Sequence, residues 1–139
     1  MKTGKIEGQR KVAALRAKAR RLQFAKRVNA ALKRLPAEYR HYLDNVAIVV
    51  EDEPTAASRA DHEGDTEELF GLYHGIPRNQ RFGGYSMVVP DQITVYRGPL
   101  LRAFGTGEEL DEQIRITVLH ELGHHLGFDE DGLERMGLA

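Results

Sequence analysis

Leu110, Ile114, Val118 and Leu122 stand four residues apart, with mostly charged and polar residues between them. Side chains at that spacing fall on one face of an α-helix, so the stretch is a helix with one apolar side. "TGEE" at 106–109 places a threonine three residues before a glutamate, the pattern of a capping box at a helix start. Gly127 stands where a left-handed residue commonly ends a helix. The spacing therefore predicts a helix over about 107–126. A helix with one apolar face needs something to cover that face, and 139 residues are enough for a single domain with a real core.

The remainder supplies both strands and a second long helix. Val12, Leu15, Ala19, Leu22, Ala25, Val28, Leu32 and Leu35 recur at steps of three and four, predicting a helix over 9–35 with one apolar stripe. Pro36 interrupts it and can open a short second helix within "PAEYRHYLDN". "VAIVV" at 46–50 reads as a buried strand, and "LFGLYHGIP" at 69–77 as a short strand before Gly75 and Pro77. "YSMVV" and "QITVYR" flank Pro90-Asp91 and suggest a hairpin over about 85–97. The acidic stretch 51–68 reads as a solvated loop of low order, and "DEDGLERMG" as a last short helix. No internal repeat is present.

Charge is distributed unevenly. Residues 1–40 hold 13 Lys/Arg against two acids, and residues 41–139 hold 7 against 19, so a net charge of −1 conceals segments of +11 and −12. Opposite fields of this size concern partners, not the fold. No apolar run approaches the roughly 20 residues of a membrane span. The basic N-terminus lacks the continuous apolar segment of a secretory signal and has no serine, unlike a transit peptide, so a cytoplasmic protein is expected. There are no cysteines, which excludes disulfides and thiolate metal sites. Any metal must be held by His, Asp or Glu.

The helix over 107–126 carries such residues. His120 and His124 of "HELGH" project from nearly the same side, one turn apart, so both imidazoles can reach one tetrahedral zinc. Glu121, turned about 100° around the axis, can stand beside zinc-bound water as general base. Zinc lowers the pKa of that water toward about 7, which lets a carboxylate take its proton at neutral pH. A chance HExxH arises roughly once in 300 chains of this length, so the five letters alone do not decide the matter. Gly127 adds context. It lets the chain reverse and return Asp129, Glu130 or Asp131 over the metal, with Glu130 at the final position of HExxHxxGxxH. Two histidines and a carboxylate leave a fourth position for water.

On these residues the chain resembles a small bacterial family of zinc metallopeptidases with a minimal zincin-like domain. The matching stretches are "LDNVAIVVEDEPT", "LFGLYHGIP", "PDQITVYRGPLLRAFG" and "VLHELGHHLGFDED", in order, over roughly residues 27–138. The resemblance implies an α+β fold in which a small mixed sheet packs on the HExxH helix, and the basic N-terminal helix read from periodicity lies mostly outside it. It implies Zn2+ as cofactor, His120 and His124 as ligands, Glu121 as base, and a peptide or protein substrate. The family's usual pattern ends in Asp, HExxHxxGxxD, and Glu130 occupies that place here. Residues 1–26 then form a basic helical extension and 27–139 the zincin-like metallopeptidase domain.

Other residues are weighed against this reading. His125 points about 100° from His124 on an ideal helix and is expected to pack or hydrogen-bond near the site. His74 reads as a turn histidine, and His41 and His62 have no functional context. A peptidase needs a sheet edge to align an extended substrate and a donor for the oxyanion. By analogy with zincins, "QITVYR" is the expected edge strand, with Tyr96, Tyr85 or Arg97 as candidate donors. The competing reading is a non-catalytic binding protein whose basic N-terminal helix meets nucleic acid or an acidic partner, the zinc site being structural or vestigial. Phe24 is the single aromatic of that helix, so the interleaved stacking residues of single-strand binders are missing.

Overall fold

A computed structural model describes residues 2–60, 68–75, 91–126 and 131. Its elements in chain order are α1 (Lys2–Lys33), α2 (Ala37–Leu43), β1 (Val46–Glu51), α3 (Ala56–Ala60), β2 (Gly71–His74), β3 (Asp91–Tyr96), α4 (Arg97–Phe104) and α5 (Glu108–His125). The three strands form one mixed sheet in the order β1-β3-β2. β1 runs parallel to β3, with Ile48 opposite Ile93, and β2 runs antiparallel to it, with Tyr73 opposite Ile93. The fold is α+β, as expected.

β3 is therefore the central strand and not the edge expected by analogy with zincins. Val95 and Tyr96 are wholly buried, because the sheet's two faces are both covered. A strand hydrogen-bonded on both sides cannot accept a third partner. Among the described residues, β1 and β2 are the edges. The hairpin partner expected at 85–89 and the final helix expected at 129–137 lie outside the described residues, Asp131 excepted.

α5 lies across one face of the sheet, and the whole predicted stripe Leu110, Ile114, Val118 and Leu122 is buried there. Ile93 and Val95 of β3, Leu100 of α4, and Phe24, Val28 and Ala31 of α1 close the core around it. At about 25 cal/mol per Å² of apolar surface, each such side chain contributes roughly 1.5–3 kcal/mol on burial. The capping box at the start of α5 does not form: Gly107 is the N-cap and no side chain caps it. The carbonyls of Thr106 and Gly107 instead accept from the Arg27 guanidinium, at 2.5 and 2.8 Å, while Arg27 Nε donates to Asp111 at 2.6 Å. A tertiary contact from α1 thus anchors the turn that a local cap was expected to hold.

α1 starts earlier than periodicity indicated and buries less. Phe24, Val28 and Ala31 face the core, whereas Val12, Leu15 and Leu22, on the opposite side of the helix and not in one stripe with them, are exposed. Part of the acidic stretch is also better ordered than its composition suggested. Thr55 accepts from the Ser58 N–H at 3.1 Å and starts α3, and Asp52 pairs with Arg21 of α1 at 2.9 Å. Glu53 pairs with Arg102, which holds its carboxyl below the ordinary glutamate range. Gly98 at the start of α4 donates its N–H to the Asp52 carbonyl at 2.8 Å, tying that helix to the same segment.

Candidate metal centre

His120 and His124 leave α5 one turn apart and converge. Their Nε2 atoms lie 3.2 Å from each other, with ring centroids 4.8 Å apart in an edge-on arrangement. Two nitrogens each about 2.0–2.1 Å from one tetrahedral ion stand about 3.3–3.4 Å apart. The observed separation fits that requirement, and the ligand type suits zinc. The same separation also suits an N–H···N hydrogen bond between the rings. Both histidines are partly exposed, so the pair opens toward solvent.

Glu121, turned around the helix from these two, is buried against β2. Its Oε2 accepts the backbone N–H of Tyr73 at 3.1 Å. Strand and helix approach so closely here that a Cβ on Gly71 would lie 2.6 Å from the Thr117 methyl and 3.7 Å from Glu121 Cγ. Glycine at 71 is what lets β2 reach the carboxylate.

A second set of polar groups lies behind the first. His125 is buried, as the 100° offset from His124 led one to expect, and its Nδ1 stands 3.2 Å from Asp91 Oδ2 and 3.0 Å from the Tyr73 hydroxyl. The Tyr73 hydroxyl donates to Asp91 Oδ1 at 3.3 Å. Asp91 and His125 are each more than nine-tenths buried. Buried polar groups of this kind are tolerated because they satisfy one another. Gly75 adjoins the cluster, since a Cβ there would collide with Asp91 Oδ1. Tyr73 therefore links both sets, its N–H to Glu121 and its phenol to Asp91 and His125.

Asp91 and Tyr73 were not singled out from sequence. Asp91 read as a turn residue after Pro90, and Tyr73 as one residue of a short strand. Only the antiparallel pairing of β2 with β3 puts them together, and no sequence spacing encodes that pairing. Of the proposed oxyanion donors, Tyr96 is wholly buried, and burial pushes its phenol above the ordinary tyrosine range while a hydrogen bond with Ser58 works against that shift. Its hydroxyl thus faces protein. Arg97 lies 3.6 Å from Asp52. Tyr85 lies outside the described residues, as do Asp129, Glu130 and His62. Asp131 and His74 are exposed. Among the described residues, no three His, Asp or Glu side chains stand together as a metal-binding group. The structure thus brings the His120 and His124 rings together, with Glu121 on the same helix turned toward β2.

A sequence profile of the zincin-like metallopeptidases matches residues 43–138, which is more than half of the chain and contains every residue of the site. The chain belongs to the zincin-like metallopeptidase family. The matched range begins at Leu43, the last residue of α2, so α1 lies wholly outside it. A conserved hypothetical protein from Thermo thermophilus is similar in structure, with 24% sequence identity and a TM-score of 0.46, over 75% of this chain and 91% of that one. No curated protein matches the chain. No helix among the described residues is long and apolar enough to cross a membrane.

Proposed function

We propose that this member of the family is a zinc-dependent peptidase in which His120 and His124 hold the metal, Glu130 completes the ligand set, and Glu121 is the general base. The observation that carries the reading is the convergence of the two Nε2 atoms at 3.2 Å beside a buried glutamate on the same helix. When bound, zinc supplies a Lewis acid that polarises a peptide carbonyl and makes water acidic enough to ionise near neutral pH.

The protein's own groups do the rest. The Glu121 carboxylate takes the proton of the attacking water and returns it to the leaving amine nitrogen. The Tyr73 N–H holds that carboxylate in place. β2, which pairs on one side only among the described residues, offers an edge along which an extended peptide can align by backbone hydrogen bonds. This role falls to β2 because β3 is central. The two histidines are partly exposed, which leaves them open to an incoming peptide.

Zinc content and affinity of the purified protein, measured by elemental analysis and competitive chelation, test the proposal. The expected result is near-stoichiometric zinc, lost in His120→Ala and weakened in Glu130→Ala. A parent protein that takes up no zinc when supplied with it overturns the reading. A peptide-substrate screen of the zinc-loaded protein, with Glu121→Gln as control, then tests hydrolysis separately from metal binding.

A further inference from the structure

Four of the five exposed large hydrophobic side chains among the described residues lie on the first 22 residues of the chain: Ile6, Val12, Leu15 and Leu22, the last three 46%, 66% and 56% exposed. At 100° per residue, Val12, Leu15, Ala19 and Leu22 form a single stripe about 170° around the axis from the core-facing stripe of Phe24, Val28 and Ala31. The helix is thus apolar on two opposite sides. One side is covered by the domain, and the other faces away from it.

The outward stripe has the 3-4-3 spacing of a coiled-coil seam, with Val12 and Ala19 at a positions and Leu15 and Leu22 at d positions. Such a stripe is narrower than the apolar face of a helix lying on a membrane, and its spacing suits another helix. The flanking positions decide which helix. Lys11 and Lys18 fall at g and Arg16 at e, so the rims of the seam are cationic. In a parallel pair of two copies, Lys11 would face Arg16. An antiparallel pair would set lysine against lysine or arginine against arginine. Like charges across a seam disfavour self-association in either orientation. Carboxylates at the facing positions of another helix would complement it.

We propose that the outward face of α1 is a docking surface for an amphipathic helix of an acidic partner protein, with the partner's apolar residues seated between Val12, Leu15, Ala19 and Leu22. Acidic side chains on the partner face Lys11, Arg16 and Lys18. The surface lies outside the segment matched by the family profile, and it does not depend on the zinc site or its activity. The seam is only three turns long, so binding is weak to moderate and salt-dependent.

The test uses the full-length protein and a designed peptide helix with Leu at a and d positions and Glu at e and g positions. A second peptide carries Lys at e and g. Binding is followed by fluorescence anisotropy at two salt concentrations. The acidic peptide should bind and the basic one should not. The Leu15→Asn/Leu22→Asn double variant should lose at least tenfold in affinity with an unchanged melting temperature, because neither side chain reaches the core. The Lys11→Ala/Lys18→Ala variant should bind more weakly and with less salt dependence. Failure of the acidic peptide to bind overturns the proposal. Sedimentation showing a dimer that the double leucine variant abolishes also overturns it, in favour of self-association. Tighter binding to mixed-sequence duplex DNA or to phosphatidylserine vesicles than to the acidic peptide would likewise assign the face to a different partner class.

Discussion

α1 and α5 are the two long helices, and their apolar residues recur at similar steps, yet the molecule uses them differently. α5 buries its entire stripe, and its polar residues toward the C-terminus converge on a candidate metal centre. α1 buries Phe24, Val28 and Ala31, while Val12, Leu15 and Leu22 lie on its opposite side and stay exposed. The difference lies in what each stripe meets. α5 packs its stripe on β2 and β3, with Gly71 letting β2 come close, whereas the Val12–Leu22 side of α1 faces away from the core. Periodicity shows that a helix has an apolar face, and only the rest of the chain decides whether that face is covered.

The largest expected contrast is at the metal centre on α5. His120→Ala should reduce zinc affinity by more than the roughly 10–100-fold typical of losing an outer partner of a ligand. Competitive chelation reads this directly. Zinc retained at parental affinity would remove His120 from the site. Next, Glu121→Gln should keep zinc while lowering the hydrolysis rate by about 10²–10⁴, the usual contribution of a general acid–base group. Undiminished turnover in that variant would transfer the role to another residue.

Stability should separate the two helices next. Ile114→Ala on α5 removes a wholly buried side chain and should cost about 2–5 kcal/mol in chemical denaturation. Leu15→Ala on α1 should stay within about 0.5 kcal/mol. Equal losses at the two positions would mean that the outer part of α1 packs against something in solution. Between these falls Tyr73→Phe, which removes the hydroxyl shared by Asp91 and His125 and should cost about 1–3 kcal/mol. Native-state hydrogen exchange at the residue 73 amide should quicken in this variant if the phenol steadies the strand that holds Glu121. Unchanged exchange would confine the cluster to a purely local role.

Much of the fold was legible in the chain. The α5 stripe, the strands near 46–50 and 69–77, and the convergence of His120 with His124 all follow from local spacing, because helix and strand periods are local properties. Other features depended on what is distant in sequence. The Asp91–His125–Tyr73 cluster needs β2 to pair with β3 and α5 to lie across both. The start of α5 is held by Arg27, whose guanidinium, 79 residues away in sequence, donates to the Thr106 carbonyl, and not by a threonine side chain accepting the helix's own N–H groups. β3 was expected at an edge by analogy with zincins, and its alternation records which faces are apolar but says nothing about how many neighbours a strand has.

By itself the sequence determined the helix that carries "HELGH", the i, i+4 placement of its two histidines, the α+β mixture and the separation of charge along the chain. Those are consequences of backbone geometry and residue type within a few turns. The tertiary structure decided that β3 is central and β2 an edge, that Glu121 rests on the Tyr73 N–H, and that half of α1 is left uncovered. Each of these is set by which surfaces meet across long chain separations, where burying apolar area and satisfying buried polar groups select one arrangement among many.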